Sequence, residues 1–281
     1  MKYFLYLASI LYRSLAFVRN FFYDIKLLKP QQLPCSVISV GNLTSGGTGK
    51  TPTVLYLCKT LQQAGRKNIG IISRGYGRKT RGMILVSKGD GPLEQWKSTG
   101  DEPFMMAKKT RDIPIVVDGN RYRGGKFLHK YFNTEIIILD DGFQHRSLYR
   151  DLNIVLINGD SSLSDYKFLP YGLRREPWSS LKRADTILFT KREPREFLYD
   201  KVKHHNLPYI HSRIKSFISF NSIASNKITK KLKGERVVLI SGIGDPKSFE
   251  KTIRNYNCVV KGHRVFRDHY SYNKKDISRI V

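Results

Sequence analysis

The first 23 residues place apolar side chains at helical spacing. Phe4, Leu7, Leu11, Leu15, Val18 and Phe22 are separated by 3, 4, 4, 3 and 4 residues, which draws one apolar stripe along a helix. Ser9, Arg13 and Asn20 fall on the opposite side, with Arg19 on the flank. Leu5, Ile10, Phe17 and Phe21 lie between the stripe residues, more apolar surface than a soluble surface helix carries. A spanning helix is disfavoured, because Arg13 would sit near the bilayer centre at roughly 2.5–3.5 kcal/mol or more. Arg13 also interrupts any signal-peptide core, and no small-x-small cleavage site follows. Two readings remain: a helix lying in the membrane interface with Tyr, Phe and Arg at headgroup depth, or a helix packed on the chain's own core. The breadth of the apolar surface makes the interfacial helix the expectation.

From residue 34 the pattern changes to short β-rich runs alternating with helical stretches. The strands predicted are 36–40 (SVISV), 68–73 (NIGIIS), 83–87, 113–117, 135–141 (EIIILDD), 152–157, 185–190, 208–212, 236–241 and 257–266. Helices are predicted after the first strand, where Val54, Leu57, Cys58 and Leu61 share a face that stops at Gly65, and at 102–110 and 120–131. Runs such as IIIL and VVLI are continuous, as in strands buried on both faces. The fold expected is therefore α/β, a mainly parallel sheet covered by helices on both faces. Residues 213–235 lack clear periodicity and read as a joint, so the expected division is an N-terminal helix (1–23), a core (24–212) and a smaller C-terminal lobe (213–281).

Composition narrows the class. Hydrophobic content of 40% and charged content of 26% exclude a mostly disordered chain. Cys35, Cys58 and Cys258 are too few and too scattered for a disulfide framework or a zinc site, which favours a reducing compartment. A formal net charge of +27 points to an anionic partner: nucleic acid, a phosphorylated substrate or an acidic membrane surface. The basic residues are dispersed and form no recognisable nucleic-acid module, so nucleic acid is not expected as a partner.

The stretch Gly41-Asn42-Leu43-Thr44-Ser45-Gly46-Gly47-Thr48-Gly49-Lys50-Thr51-Pro52 follows a predicted strand and opens a predicted helix, the context of a phosphate-binding loop. Its glycines let backbone N–H groups turn toward phosphate oxygens, and the helix start adds partial positive charge. Thr44, Ser45, Gly46, Gly47, Thr48, Gly49, Lys50 and Thr51 are the expected nucleotide contacts, with Lys50 on the β- and γ-phosphates and the Thr51 hydroxyl on Mg²⁺. Thr44 stands where the usual loop has its first glycine. The run Ile136–Leu139 ends in Asp140 and Asp141, which supplies the acid that such a loop needs for its metal. Further polar turns sit where ligands bind in open α/β sheets: Ser73–Gly77, Gly100–Pro103, Asp141–His145 and Arg174–Pro177.

Taken in order, GNLTSGGTGKTP, SRGYGRK, GDEP, DDGFQHR, RREPWSSLKRADTILFTK, SGIGDP and FRDHYSY resemble the tetraacyldisaccharide 4′-kinase family, the lipid A kinases of Gram-negative bacteria. The resemblance extends over the whole chain, and the family's Thr or Ser in place of the first loop glycine accounts for Thr44. It implies ATP- and Mg²⁺-dependent phosphorylation of the 4′-hydroxyl of a tetraacylated glucosamine disaccharide 1-phosphate. It also implies a seat on the cytoplasmic face of the inner membrane through the N-terminal helix, with no obligate protein partner. By the same resemblance Asp101 is the base for the acceptor hydroxyl, His269 pairs with it, Lys50 serves catalysis, and Asp140, Asp141 and Thr51 serve the metal. Arg74, Tyr76, Arg121, Gln144, His145 and Arg175 are then substrate-contact candidates. In the family's Gly-x-Leu-Arg-Glu-Pro motif, Arg175 matches the Arg and the preceding position is altered. The family continues past the DHY motif, so the C-terminal lobe is expected to be incomplete relative to it. The rival expectation is a membrane-associated P-loop ATPase or GTPase switch with no small-molecule acceptor.

Overall fold

The computed structural model of the protein describes residues 2–212, 232–268, 270, 272, 273, 276 and 278. Two compact units are distinguished, Met1–Arg213 and Ile214–Val281. In the first, the apolar runs become β1 (Ser36–Asn42), β2 (Ile69–Ser73), β3 (Ile84–Ser87), β4 (Ile115–Val117), β5 (Ile136–Asp140), β6 (Leu152–Asn158), β7 (Thr186–Thr190) and β8 (Tyr209–His211). They form one sheet in the order β3-β4-β2-β5-β1-β6-β7-β8. Only β3 runs antiparallel, on β4 at the edge. β1 sits between β5 and β6, with Ser36 opposite Ile136 and Ile38 opposite Leu152.

Alternation along the strands splits the core. Val40, Ile138, Ile71, Ile115 and Leu156 point to one face, where α2 (Lys50–Gln63) and α4 (Asp101–Lys109) close over them with Val54, Cys58, Met106 and Ala107. Val37, Ile137, Leu139, Ile72 and Val116 point to the other, under Leu128 of α5 (Arg121–Phe132). Farther along, Val155, Ile157, Ile187 and Phe189 pack with Leu198 and Val202 of α6 (Glu196–Lys203). Both faces are covered, so the strands carry apolar residues on both sides. The short helices α3 (Trp96–Thr99) and α6 were not evident from periodicity, because each places two or fewer side chains in the interior.

α1 (Lys2–Asp24) is a continuous helix, and its two sides are reversed relative to a core-packed helix. Its buried residues are Ser9 and Asn20, whereas Phe4 is 74% and Leu11 63% exposed, with Leu7, Leu15, Val18 and Phe22 exposed as well. This corrects the reading in which the apolar stripe packs on the chain's own core. The polar side is the one against the body: Arg146 donates to Asn20 O at 3.0 Å, and Arg146 and Lys182 both reach Asp24 at 2.8 Å. Among the described residues, no helix is long and apolar enough to cross a membrane.

The second unit holds β9 (Arg236–Ser241), α7 (Pro246–Arg254) and β10 (Val259–Val265), with β9 and β10 parallel. Asp245 caps α7 by accepting from the Ser248 N–H at 3.0 Å, and Pro246 stands at the helix start where its missing N–H costs nothing. His263 bridges the unit, with Nδ1 3.0 Å from Glu250 and Nε2 2.8 Å from the Ser241 hydroxyl. Most of the predicted joint, residues 213–231, lies outside the described residues.

Candidate active site

The site is built at the carboxyl ends of β1, β2, β5 and β7, which finish in Asn42, Ser73, Asp140 and Thr190, all buried. A row of buried polar residues at one end of a parallel sheet marks where ligands bind. β1 can lie close to the loop after β5 because Gly41 has no side chain: a Cβ there would stand 2.5 Å from Cβ of Phe143. The loop then turns into α2 through Gly49, whose φ of 88° lies in the left-handed region that glycine adopts without strain. Thr44, Ser45, Gly46, Gly47 and Thr48 lie between, and Gly46 and Gly47 border open space.

Lys50 and Thr51 begin α2. Lys50 Nζ is 3.4 Å from Asn42 Oδ1 and 3.7 Å from Asp141 Oδ1. Asn42 also donates to the Thr48 hydroxyl at 2.7 Å, and Thr190 donates to Thr48 O at 2.8 Å, so the loop is fastened from β1 and from β7. Arg175 makes a two-pronged contact with Asp141, at 2.8 and 2.9 Å, and donates to Asn42 Oδ1 and to Thr44 O. Gln144 donates to Asn42 O at 2.8 Å. Thus Lys50, Asp141, Arg175 and Gln144 meet around Asn42, which sequence reasoning had assigned no role.

The two adjacent aspartates are in different electrostatic states. Asp140 is driven up to about 7, first by burial and then by Glu102, although the Ser73 hydroxyl donates to its Oδ2 at 2.9 Å. Its Oδ1 is buried without a hydrogen-bond partner. Burial acts on Asp141 too, but Arg175, Lys50 and Arg121 outweigh it and bring the group down to about 2. Arg121 is itself lowered to about 10, by burial and then by Arg74, and its Nη1 donates to Gly119 O at 3.0 Å. His145 falls to about 4 through burial and the charges of Arg121, Arg150, Arg74 and Arg19, with Nε2 3.0 Å from the Ser147 hydroxyl. Arg74, Arg121 and His145 therefore share one cationic neighbourhood beside the aspartates.

Gly75 and Gly100 press two loops together: a Cβ on Gly75 would stand 2.6 Å from Thr99 O, and one on Gly100 2.9 Å from Tyr76 O. This contact sets the start of α4, with Asp101 as its first residue, beside the Ser73–Gly77 loop. Asp101 is exposed and its Oδ1 accepts from the Glu102 N–H at 3.0 Å. Tyr76 is 68% exposed. His269 lies outside the described residues. Among the described residues no three His, Cys, Asp or Glu side chains cluster as a metal site.

Residues 1–281 match the family model described as tetraacyldisaccharide-1-P 4′-kinase. The tetraacyldisaccharide 4′-kinase of Aquifex aeolicus is 39% identical over 271 residues, covering 94% of this chain and 81% of the relative. That of Halothermothrix orenii is 36% identical over 299 residues, covering 99% and 77%. A crystal structure of LpxK from Aquifex aeolicus, an "apo" form in complex with ATP, is similar with a TM-score of 0.79 and 38% identity, covering 97% of this chain and 84% of that one.

Proposed function

The chain belongs to the tetraacyldisaccharide-1-P 4′-kinase family, and on that premise we propose that it transfers the γ-phosphate of ATP to the 4′-hydroxyl of a tetraacyldisaccharide 1-phosphate, a step of lipid A synthesis. The observation that carries this reading is the phosphate loop with Lys50, Asp141 and Arg175 gathered around Asn42.

Phosphoryl transfer asks a protein for positioning and for charge to meet the developing negative charge. The backbone N–H groups of Gly46, Gly47, Gly49 and Lys50, at the start of α2, receive the phosphates, while those of Ser45 and Thr48 donate to Leu173 O and Gly46 O and hold the loop's shape. Lys50 and Arg175 supply the cations at the transferring group, and Asp141 holds both in place before nucleotide arrives. The residues fit Mg²⁺. Asp140 offers a buried, unpartnered oxygen and Thr51 a hydroxyl at the helix start, and Mg²⁺ favours one or two protein ligands completed by phosphates and water. Held by these residues, Mg²⁺ would supply charge neutralisation for the phosphates. Asp101 accepts the proton of the acceptor hydroxyl. Arg74, Arg121 and His145, with Tyr76, receive the phosphorylated sugar. His145 does so as a neutral imidazole, because burial and then the surrounding guanidinium groups disfavour its charged form.

The exposed apolar side of α1 supports an interfacial seat on the cytoplasmic face of the inner membrane, with the acylated substrate drawn from the same surface. The test of function is ADP release by the purified protein with and without the acylated disaccharide 1-phosphate. Strong acceptor dependence is expected. Equal turnover without acceptor would favour a P-loop switch instead.

A further inference from the structure

A short strip after the helical turn at 163–166 is joined to the phosphate loop backbone to backbone. The Ser45 N–H donates to Leu173 O and the Arg175 N–H to Leu43 O, each at 2.7 Å, and Thr44 and Arg174 are antiparallel bridge partners. Arg175 leaves this strip toward Asp141 and Asn42. The next residue, Glu176, has no exposed surface and carries two ion pairs. One is with Arg183, whose guanidinium also lies over the Phe143 ring. The other is with Arg19 of α1, Nη2 to Oε1 at 2.7 Å. Tyr12, two turns earlier in α1, is pushed up by burial in the field of Arg175, Arg19 and Glu176, so this side of the helix faces the same group of charges.

A buried carboxylate is held where its partners hold it, because leaving it unpaired is costly. Glu176 is therefore located jointly by the body, through Arg183, and by α1, through Arg19. We propose that Arg19 is a positioning residue: by holding Glu176 it fixes the strip at residues 173–175, and through it Arg175 and the phosphate loop, so that the seat of α1 sets the rate of phosphoryl transfer. Loss of Arg19 leaves Glu176 paired with Arg183, so the fold survives while the strip loses one of its two anchors. Small displacements of a reacting group carry large rate penalties. The proposal rests on the kinase reading above.

The test uses the full chain, in detergent micelles and in parallel on anionic phospholipid vesicles, with the acylated disaccharide 1-phosphate and ATP. It compares wild type with Arg19→Gln, Arg19→Lys, Glu176→Gln and the Arg19→Gln/Glu176→Gln pair. Arg19→Gln should lower kcat by about tenfold, with KM for the acceptor and the thermal midpoint nearly unchanged, and Arg19→Lys should recover most of the loss. The double variant should be little worse than Glu176→Gln alone, because Arg19 acts through Glu176. Wild-type kcat in Arg19→Gln, or fully additive losses in the pair, overturns the proposal. So does a loss seen on vesicles that disappears in micelles, since that would make Arg19 a membrane-binding residue only. No acceptor-dependent transfer by the wild type would defeat the kinase reading itself, a different result from any of these.

Discussion

α1 and α2 share a helical period but spend it in opposite directions. α2 turns Val54 and Cys58 into the core against the central strands, and its first residues meet the phosphate site. α1 turns Ser9 and Asn20 inward and leaves Phe4, Leu11 and their neighbours exposed. Periodicity thus identifies a face of a helix, while the surface it meets is decided elsewhere. For α1 the body offers charged groups, Arg146, Glu176 and Lys182, so the polar side docks by ion pairs and the apolar side is left exposed.

The sharpest way to probe this contrast is at the start of α2. On the proposed mechanism Lys50→Ala removes a cation that acts on the transferring phosphate, and turnover should fall by about 10²–10³-fold or more with the circular dichroism spectrum unchanged. Next comes the acceptor side. Asp101→Asn retains the hydrogen bond at the start of α4 but removes the carboxylate proposed as the base. A fall in kcat of roughly 10²-fold with ATP binding retained is expected, and near-normal kcat would remove Asp101 from the mechanism.

Stability separates the two helices directly. Val54→Ala in α2 opens space under the sheet and should cost about 1–3 kcal/mol in urea unfolding. Leu11→Ala in α1 should change stability by no more than about 0.5 kcal/mol, yet weaken co-sedimentation with anionic phospholipid vesicles. If Leu11→Ala destabilises the protein as Val54→Ala does, the apolar stripe is covered by protein after all.

The smallest effect concerns pH. His145 sits below its ordinary value at about 4, so between that value and its unfolded value near 6.5 the unfolded chain binds the extra proton. Its contribution to stability is therefore complete above about 6.5 and is lost as pH falls toward 4. In an NMR titration the His145 ring should remain neutral down to about pH 5, and a midpoint near 6.5 would show that the ring is neither buried nor surrounded by guanidinium groups.

The continuous runs at 136–139 and 154–157 were legible as strands because a strand buried on both faces must be apolar at every position. Lys50 and Thr51 stand out in the sequence because a phosphate loop keeps its residues together, and Asp140 and Asp141 because two carboxylates end an apolar run. α7 does not, since none of its residues is buried, although Asp245 and Pro246 mark its start. The roles of Asn42, Thr190 and Glu176 were also hidden. Each acts through a partner that folding brings near: Asn42 through Arg175, Thr190 through Thr48, and Glu176 through Arg19. One signal was available. Asn42, Ser73, Asp140 and Thr190 are polar residues ending otherwise apolar runs, and in a parallel sheet such ends converge.

The central claim, a phosphate loop that serves an acylated sugar at a lipid surface, is tested most directly by the product. The purified full chain is incubated with ATP labelled in the γ-phosphate and the tetraacyldisaccharide 1-phosphate in micelles, and the lipid is recovered for phosphorus NMR and mass spectrometry. A labelled bisphosphorylated disaccharide with the new phosphate on the 4′-oxygen, formed by wild type and absent with Lys50→Ala, is the result predicted. Label released only as inorganic phosphate, with the lipid unchanged, would contradict the account.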